Sequence, residues 1–379
     1  MRTPSLMLVR DPGEHHRAAT PLELFFDLVA VIAIASVTAS LHHAVSAGHG
    51  AENIANFLFI FTGIWWAWMN YTWFANAFDN DDAVFRLFTI VIMGGFLEFA
   101  AGVEHFFETL DFSYSLLGWI IMRLGMMGLW WRAARHNPEF RAVAMGHFWG
   151  LLFAQTLWIL YVLGVNNGYP LGMQVGALIF VVEFLVPVLA TRNKQVAWHR
   201  HHIIERYGLL NTIVLGEVLL SISFMLSKLY EGELDWALIK AAVASLITVF
   251  AVWWIYFLEE EHLNSDSLRR AFIWGYGHLA IFLSGALLAV GLGVYFDVLT
   301  HHAHVSAENA GALINGAVAI YFATLWLIRD LFHDLGLRRA VLPIAVLALA
   351  LAAWFGQGPI VTALICVVTL AARTPTKTE

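Results

Sequence analysis

Two acidic side chains, Glu23 and Asp27, stand four residues apart at the start of an apolar stretch. That spacing places both carboxylates on one face of a helix, where two like charges repel each other. Such a pair favours binding a proton unless a cation or another partner intervenes. Thr20 is a suitable N-cap, so Glu23 is either a capping residue or part of a functional pair. Asp27 lies deeper in the apolar stretch and is the stronger functional candidate.

Glu217 lies near the middle of a later apolar stretch, beside Gly216, which permits close approach of another helix. A carboxylate at that depth is protonated, paired or ion-bound, so it is a functional group or a hydrogen bond between helices. Arg123 is the only basic residue deep in such a stretch, and it serves either as an ion pair or as a clamp for an anionic substrate. Its candidate partners are Asp27, Glu98, Glu183 and Glu217.

Each of four polar residues inside apolar stretches has two candidate roles. His278 and His147 either relay protons or pack through hydrogen bonds. Asn211 and Asn315 either coordinate an ion or join helices.

The chain has 17 histidines, and many of them form four clusters at loops or termini. These clusters could bind zinc or sense pH, but they lack the spacing of a known zinc motif, so no metal and no cofactor are expected. No phosphate-binding loop, nucleophile elbow or other catalytic set occurs, and the sequence favours a protein that is not an enzyme. The clusters are His15-His16, His42-His43, His199/His201/His202 and His301/His302/His304.

These candidate residues belong to a chain of 379 residues that is 60% hydrophobic and only 13% charged. A soluble domain is roughly 45–50% apolar and about 25% charged, so the composition indicates an integral membrane protein. The net charge of −7 and the scattered basic residues argue against nucleic-acid binding. The first 20 residues have no apolar core of the kind found in a cleaved signal.

About twelve apolar stretches approach the roughly 20 residues that a membrane-crossing helix needs. The expected fold is therefore an all-α, polytopic transmembrane helical bundle. The last two stretches are short and could form one hairpin that does not fully cross. The predicted spans are 21–41, 54–74, 85–103, 115–133, 140–163, 171–190, 204–226, 236–258, 271–296, 309–328, 340–355 and 359–371.

Loop charge indicates the orientation. If the spans alternate, all Lys and Arg residues except Arg123, Lys228 and Lys240 fall in segments on the side of the N-terminus. The positive-inside rule then predicts that both termini are cytoplasmic, in a bacterial plasma (inner) membrane.

Weak similarities between the two halves predict a duplication into parallel six-helix repeats. Span two carries Trp65-Trp66 and span eight Trp253-Trp254, while spans four and ten end on Arg132 and Arg329. The predicted domains are a cytoplasmic segment 1–20, repeats 21–190 and 204–372, a linker 191–203 and a tail 373–379.

Residues 20–29, at the start of span one, read Thr-Pro-Leu-Glu-Leu-Phe-Phe-Asp-Leu-Val. They resemble the opening motif of the bacterial low temperature requirement protein A family, although its usual L-V-F-V is Leu28-Val29-Ala30-Val31 here. Residues 204–208 and 214–217 resemble a second hallmark, E-R-[FY]-G followed by V-L-G-E. The resemblance implies a multi-pass bacterial membrane protein linked to growth in the cold, without a defined substrate. The second hallmark supplies Glu205, Arg206, Gly208 and Gly216.

A weaker similarity connects Phe25-Phe26-Asp27 and the duplicated six-span unit to potassium channels of the lysosomal type, which carry F-S-x-x-x-D. The serine of that motif is Phe26 here, and the second half has no such motif.

Together these features favour a channel or secondary transporter for a small ion or solute, with proton coupling as one option. Asp27 and Glu217 would bind or couple, and Glu23 and Arg123 would tune them. A lipid-binding protein or lipid-modifying enzyme in the membrane is the alternative. The expected partners are the lipid bilayer and the solute, and a homo-oligomer is compatible with the sequence.

Overall fold

The regular secondary structure of the described residues is entirely helical. A computed structural model describes residues 5–11, 13–14, 17–196, 198–228, 235–259, 263 and 268–375. The helices of the first half are α1 (Pro21–Ser46), α2 (Gly50–Phe78), α3 (Ala83–Ala101), α4 (Val103–Thr109), α5 (Ser113–His136), α6 (Arg141–Asn166) and α7 (Met173–Thr191). Those of the second half are α8 (Arg200–Lys228), α9 (Trp236–Phe257), α10 (Leu268–Leu299), α11 (Ala307–Ile328), α12 (Val341–Trp354) and α13 (Pro359–Arg373).

Each predicted span overlaps one of these helices over most of its length, and the predicted all-α, polytopic class is confirmed. Among the described residues, eight helices are long and apolar enough to cross a membrane. They comprise α1, α3 with α4, α6, α7, α9, α10, α11 and α12. Helix α13 has 15 residues, about 22 Å at 1.5 Å per residue, which is shorter than a hydrocarbon core of about 30 Å.

Large apolar side chains cover the outer faces of these helices. In a soluble protein they would form costly exposed patches, whereas lipid solvates them. Side chains of this kind with more than half of their surface exposed include Leu87, Ile90, Phe153, Leu178 and Leu347.

Two compact units make up the chain, residues 1–37 with 59–206 and residues 38–58 with 207–379. In the first unit, α3 packs on α5, α5 on α6, and α6 on α7. Helices α3 and α5 approach closely because Gly118 has no side chain. A Cβ there would lie 2.3 Å from the backbone nitrogen of Phe99 and 2.5 Å from the carbonyl oxygen of Gly95. Glycine thus permits the backbone contact on which this pair of helices depends.

In the second unit, α10 packs on α11, α11 on α12, and α9 on α13. Asn315 of α11 ties this unit together, because its Nδ2 donates to the carbonyl of Gln357 at 2.7 Å. The hydroxyl of Thr362 in α13 donates to Oδ1 of Asn315 at 2.9 Å. Of the two predicted roles of Asn315, these contacts support the joining of helices.

Candidate functional site

The first turn of α1 is closed by reciprocal hydrogen bonds between Thr20 and Glu23. The backbone N–H of Thr20 donates to Oε2 of Glu23 at 2.9 Å, and the N–H of Glu23 donates to Oγ1 of Thr20 at 3.2 Å. This capping box fixes the start of the helix. The carboxylate of Glu23 is nevertheless fully buried. Glu23 is therefore a capping residue and also part of an internal polar site.

Arg206, at the beginning of α8, lies between the two carboxylates of α1 and is fully buried. Its Nη1 is 2.9 Å from Oε1 of Glu23, and its Nη2 donates to Oδ1 of Asp27. The indole N–H of Trp68 in α2 donates to the same Asp27 oxygen at 2.7 Å. One guanidinium thus bridges the two carboxylates that the four-residue spacing predicted to share a face.

His202, one helical turn before Arg206, contacts one of these carboxylates, that of Glu23. Its Nε2 is 3.2 Å from Oε2 of Glu23, and its Nδ1 is 2.9 Å from Nδ2 of Asn76. The amide nitrogen of asparagine only donates, so Nδ1 of His202 accepts and the imidazole is neutral. We refer to Glu23, Asp27, Trp68, His202 and Arg206 as the acidic cluster.

The acidic cluster carries two carboxylates and one guanidinium, an excess of one negative charge when both carboxylates are ionised. An uncompensated charge in the interior costs several kcal/mol. Within the described part of the chain, Oδ2 of Asp27 is buried and accepts no hydrogen bond. Protonation at that oxygen, or a small cation beside it, would neutralise the cluster.

Arg123 pairs with Glu183, one of the four partners that the sequence left open. Its Nη2 is 3.1 Å from Oε2 of Glu183, and its guanidinium lies 4.2 Å from the ring centroid of Trp119. Trp66 and Trp158 donate their indole N–H groups to the two oxygens of Glu183, at 2.9 and 3.3 Å. This buried pair is balanced in charge, which favours an ion pair over an anion clamp.

Glu217 and Glu98 are only partly buried. Among the described residues, neither carboxylate has a hydrogen-bond or ion-pair partner. A Cβ at Gly216 would meet no atom within 4 Å, so the surface of α8 next to Glu217 is open. Glu217 therefore remains a candidate on geometry, as a carboxylate without a structural partner.

His278 and Asn211 make internal hydrogen bonds. Nδ1 of His278 lies 2.8 Å from the carbonyl oxygen of Trp274, and its Nε2 lies 3.0 Å from the hydroxyl of Tyr256. The hydroxyl of Tyr321 donates to Oδ1 of Asn211 at 2.9 Å. These contacts favour packing roles for both residues.

Two further side chains have defined surroundings. Nδ1 of His147 lies 3.0 Å from the carbonyl oxygen of Val143, and its ring stacks on Trp130 at 4.0 Å. A Cβ at Gly208 would lie 3.0 Å from the ring of Phe257, so glycine permits a close helix contact there. Glu205, its neighbour in the motif, is partly buried.

The histidine clusters have different surroundings. His42 lies 2.8 Å from Oδ2 of Asp297, to which the hydroxyl of Ser46 also donates at 2.6 Å. His199 and His202 are buried beside Asn76.

His15 and His16 lie outside the described residues. In the described ranges, no three His, Cys, Asp or Glu side chains are arranged to hold a metal ion.

Trp68 is not singled out by the sequence. His202 is named there only as a member of a histidine cluster, and Arg206 only as a motif residue and as one of the charges on the side of the N-terminus. The available signal was the E-R-Y-G motif itself, which contains an arginine next to a predicted membrane boundary.

Apolar outer faces, long helices and a buried charge cluster define a polytopic helical membrane protein. The profile of the bacterial low temperature requirement A protein family matches residues 18–373, and the chain belongs to this family. The two motifs that carried the resemblance thus identified the family correctly.

A curated relative is an uncharacterized protein from Rhizobium meliloti (strain 1021). It is 26% identical over 345 residues, which cover 85% of this chain and 80% of the relative. No solved structure matches the chain.

Proposed function

We propose that this protein is a proton-coupled secondary transporter or channel for a small ion or solute. The observation that carries the proposal is the acidic cluster, in which two fully buried carboxylates share a single guanidinium. Asp27 is the coupling carboxylate, because its Oδ2 is buried without a hydrogen-bond partner among the described residues. The oxygens of Glu23 differ, since Oε1 lies 2.9 Å from Nη1 of Arg206 and Oε2 accepts from the N–H of Thr20. Glu23 and Arg206 set its charge environment.

The chemistry of coupling follows from the charge count. A proton added to Oδ2 of Asp27 converts the carboxylate to a carboxylic acid and brings the cluster from −1 to neutral. Loss of that proton restores a buried negative charge, which either attracts a cation or favours a conformation that admits water. A site with these two states is suited to link proton movement to the movement of a solute.

Glu217 is proposed as a second site for the solute or the proton. It lies further along α8, the helix that supplies Arg206, and it is partly exposed on an open stretch of that helix. A carboxylate within a membrane helix is energetically costly, and residues of this kind mark binding or proton-transfer sites.

The proposed setting is a bacterial inner membrane with both termini cytoplasmic, on the basis of the loop charges. In this orientation α1 begins at the cytoplasmic side, and the two carboxylates of the acidic cluster, Glu23 and Asp27, lie within its first two turns. The two six-helix repeats, 21–190 and 204–372, are part of the same proposal and would relate α1 to α8.

The test is proton flux in proteoliposomes that contain the full-length protein and an internal pH-sensitive dye. Gradients of K⁺, Na⁺ and Cl⁻ are imposed in turn, with protein-free vesicles as the blank. We expect Asp27→Asn to abolish solute-driven proton movement and Glu217→Gln to reduce it. Glu52→Gln, at an exposed position in the first turn of α2, is the matched control. Wild-type flux that persists unchanged in both Asp27→Asn and Glu217→Gln would overturn the assignment.

A further inference from the structure

Asn76, near the end of α2, makes three hydrogen bonds to the segment that begins α8. The backbone N–H of His199 donates to Oδ1 of Asn76 at 2.8 Å. Nδ2 of Asn76 donates to the carbonyl oxygen of His199 at 3.0 Å and faces Nδ1 of His202 at 2.9 Å. Asn76 is 1% exposed, so each of these bonds is shielded from water.

The two bonds to the backbone of His199 fix the orientation of the Asn76 amide. If the amide turned over, its NH₂ group would face the N–H of His199 and its oxygen would face a carbonyl oxygen. Both new contacts would be repulsive, and buried polar groups without partners cost about 1–3 kcal/mol each. The NH₂ group of Asn76 is therefore directed at His202.

This orientation determines the protonation state of His202. A proton on Nδ1 would point at the NH₂ group of Asn76, donor against donor. The ring is accordingly neutral, with its hydrogen on Nε2, from which it donates to Oε2 of Glu23 at 3.2 Å. Both nitrogens of His202 are thus in use while the imidazole carries no charge.

Charged groups surround His202 on several sides. Burial of the imidazole lowers the pKa of His202; Glu23 of α1 opposes this effect, whereas Arg17 of the N-terminal segment and Arg206 of α8 add to it. His199 lies on the near side, where its Nδ1 accepts from the N–H of His202 at 3.2 Å and its Nε2 is 2.6 Å from the carbonyl oxygen of Glu14. Because the charges of Glu23 and of the two arginines act in opposite directions, the hydrogen-bond partner of Nδ1 decides whether that nitrogen is protonated.

We infer that Asn76 is a positioning residue that excludes the proton from His202 and so directs it to Asp27. The inference rests on the proposed function for the role of Asp27, but the neutrality of His202 stands on geometry alone. Histidine is the group that would ordinarily take a proton first at neutral pH, since its usual pKa is about 6.5 and that of aspartate about 3.9. The amide of Asn76 reverses this order.

The experiment is a pH titration of the full-length protein, labelled with ¹⁵N-histidine, in lipid bilayers. Ring-nitrogen resonances report protonation, and the signals of His202 are identified by their loss in His202→Gln. We expect His202 of the wild type to stay neutral at a pH where exposed loop histidines are protonated. In Asn76→Asp, a carboxylate oxygen faces Nδ1, and we expect the protonation midpoint to rise by at least about one pH unit, a tenfold change.

Two further variants separate the causes. Asn76→Ala removes the opposing NH₂ group without adding charge, and we expect a smaller rise than in Asn76→Asp. Asn70→Asp places the same charge change on the same helix, at a residue whose Nδ2 donates, among the described residues, to the carbonyl of Trp66 at 2.8 Å. We expect Asn70→Asp to leave the titration of His202 unchanged.

The inference fails if wild-type His202 titrates together with the loop histidines, a result that needs no Asn76 variant to fold. It also fails if Asn76→Asp and Asn70→Asp have the same effect. The infrared band of a protonated carboxylic acid, absent from Asp27→Asn, reports separately on Asp27. A neutral His202 without that band would refute the proton site in the proposed function and leave the role of Asn76 intact.

Discussion

Replacing Arg206 with methionine removes the only guanidinium of the acidic cluster and leaves Glu23 and Asp27 facing each other without a cation. Loss of one partner from a buried ion pair costs about 3–5 kcal/mol. Arg206 lies within ion-pair distance of two carboxylates, so we expect a loss at the upper end of that range. Because the total stability of a folded protein is about 5–15 kcal/mol, such a loss is a large fraction of it.

The assay is equilibrium unfolding of the purified full-length protein in mixed micelles. The triple variant Arg206→Met, Glu23→Gln, Asp27→Asn removes all three charges, and we expect it to recover more than half of the lost free energy of unfolding. Lys194→Met is the control, because Lys194 pairs with Glu139 at 2.7 Å on the surface, where ion pairs contribute less than about 1 kcal/mol. An effect of Arg206→Met no larger than that of Lys194→Met, or no recovery in the triple variant, would refute the charge count.

Two more predictions concern groups outside the acidic cluster. Asp79, which follows α2, is buried, and burial together with the nearby charge of Glu23 raises its pKa to about 6. Because this pKa is raised on folding, stability that is present below pH 4 is lost as the pH rises through 6, by about 2–3 kcal/mol of unfolding free energy. In Asp79→Asn this decrease should be absent, as measured by the unfolding midpoint at a series of pH values. Asn315→Leu should cost about 1–3 kcal/mol in the same assay, because it leaves the hydroxyl of Thr362 and the carbonyl of Gln357 without their bonds to Asn315. Proton flux measured on the Asn315→Leu protein that remains folded should equal that of the wild type, and a selective loss of flux would assign Asn315 to the transport path.

Much of the fold could be predicted from sequence because the local signals were strong. An apolar stretch in lipid must satisfy its backbone hydrogen bonds internally, and a helix does so. Span 271–296 therefore corresponds to α10 and span 236–258 to α9. Helix ends were less accurate. The sequence predicts an end of span one at residue 41, but α1 continues to Ser46, and His42 in this extension lies 2.8 Å from Oδ2 of Asp297.

The site was predicted only in part. The place of Arg123 in an apolar stretch predicts a buried cation, but its partner Glu183 cannot be selected from sequence because all four candidates are carboxylates. Arg206 was counted as a loop charge because a run of basic residues near a helix start ordinarily lies in water. Its burial became apparent only in three dimensions.

The sequence by itself determined that Glu23 and Asp27 share one face of a helix, because a spacing of four residues fixes their directions locally. It also determined that the segment lies in a membrane and that Thr20 caps it. Only the tertiary structure decided what neutralises the pair, since Arg206 is 179 residues away from Asp27 and reaches it through packing of separate helices. The hydrogen bonds of Asn76 that keep His202 neutral depend on the same packing, which no local pattern encodes.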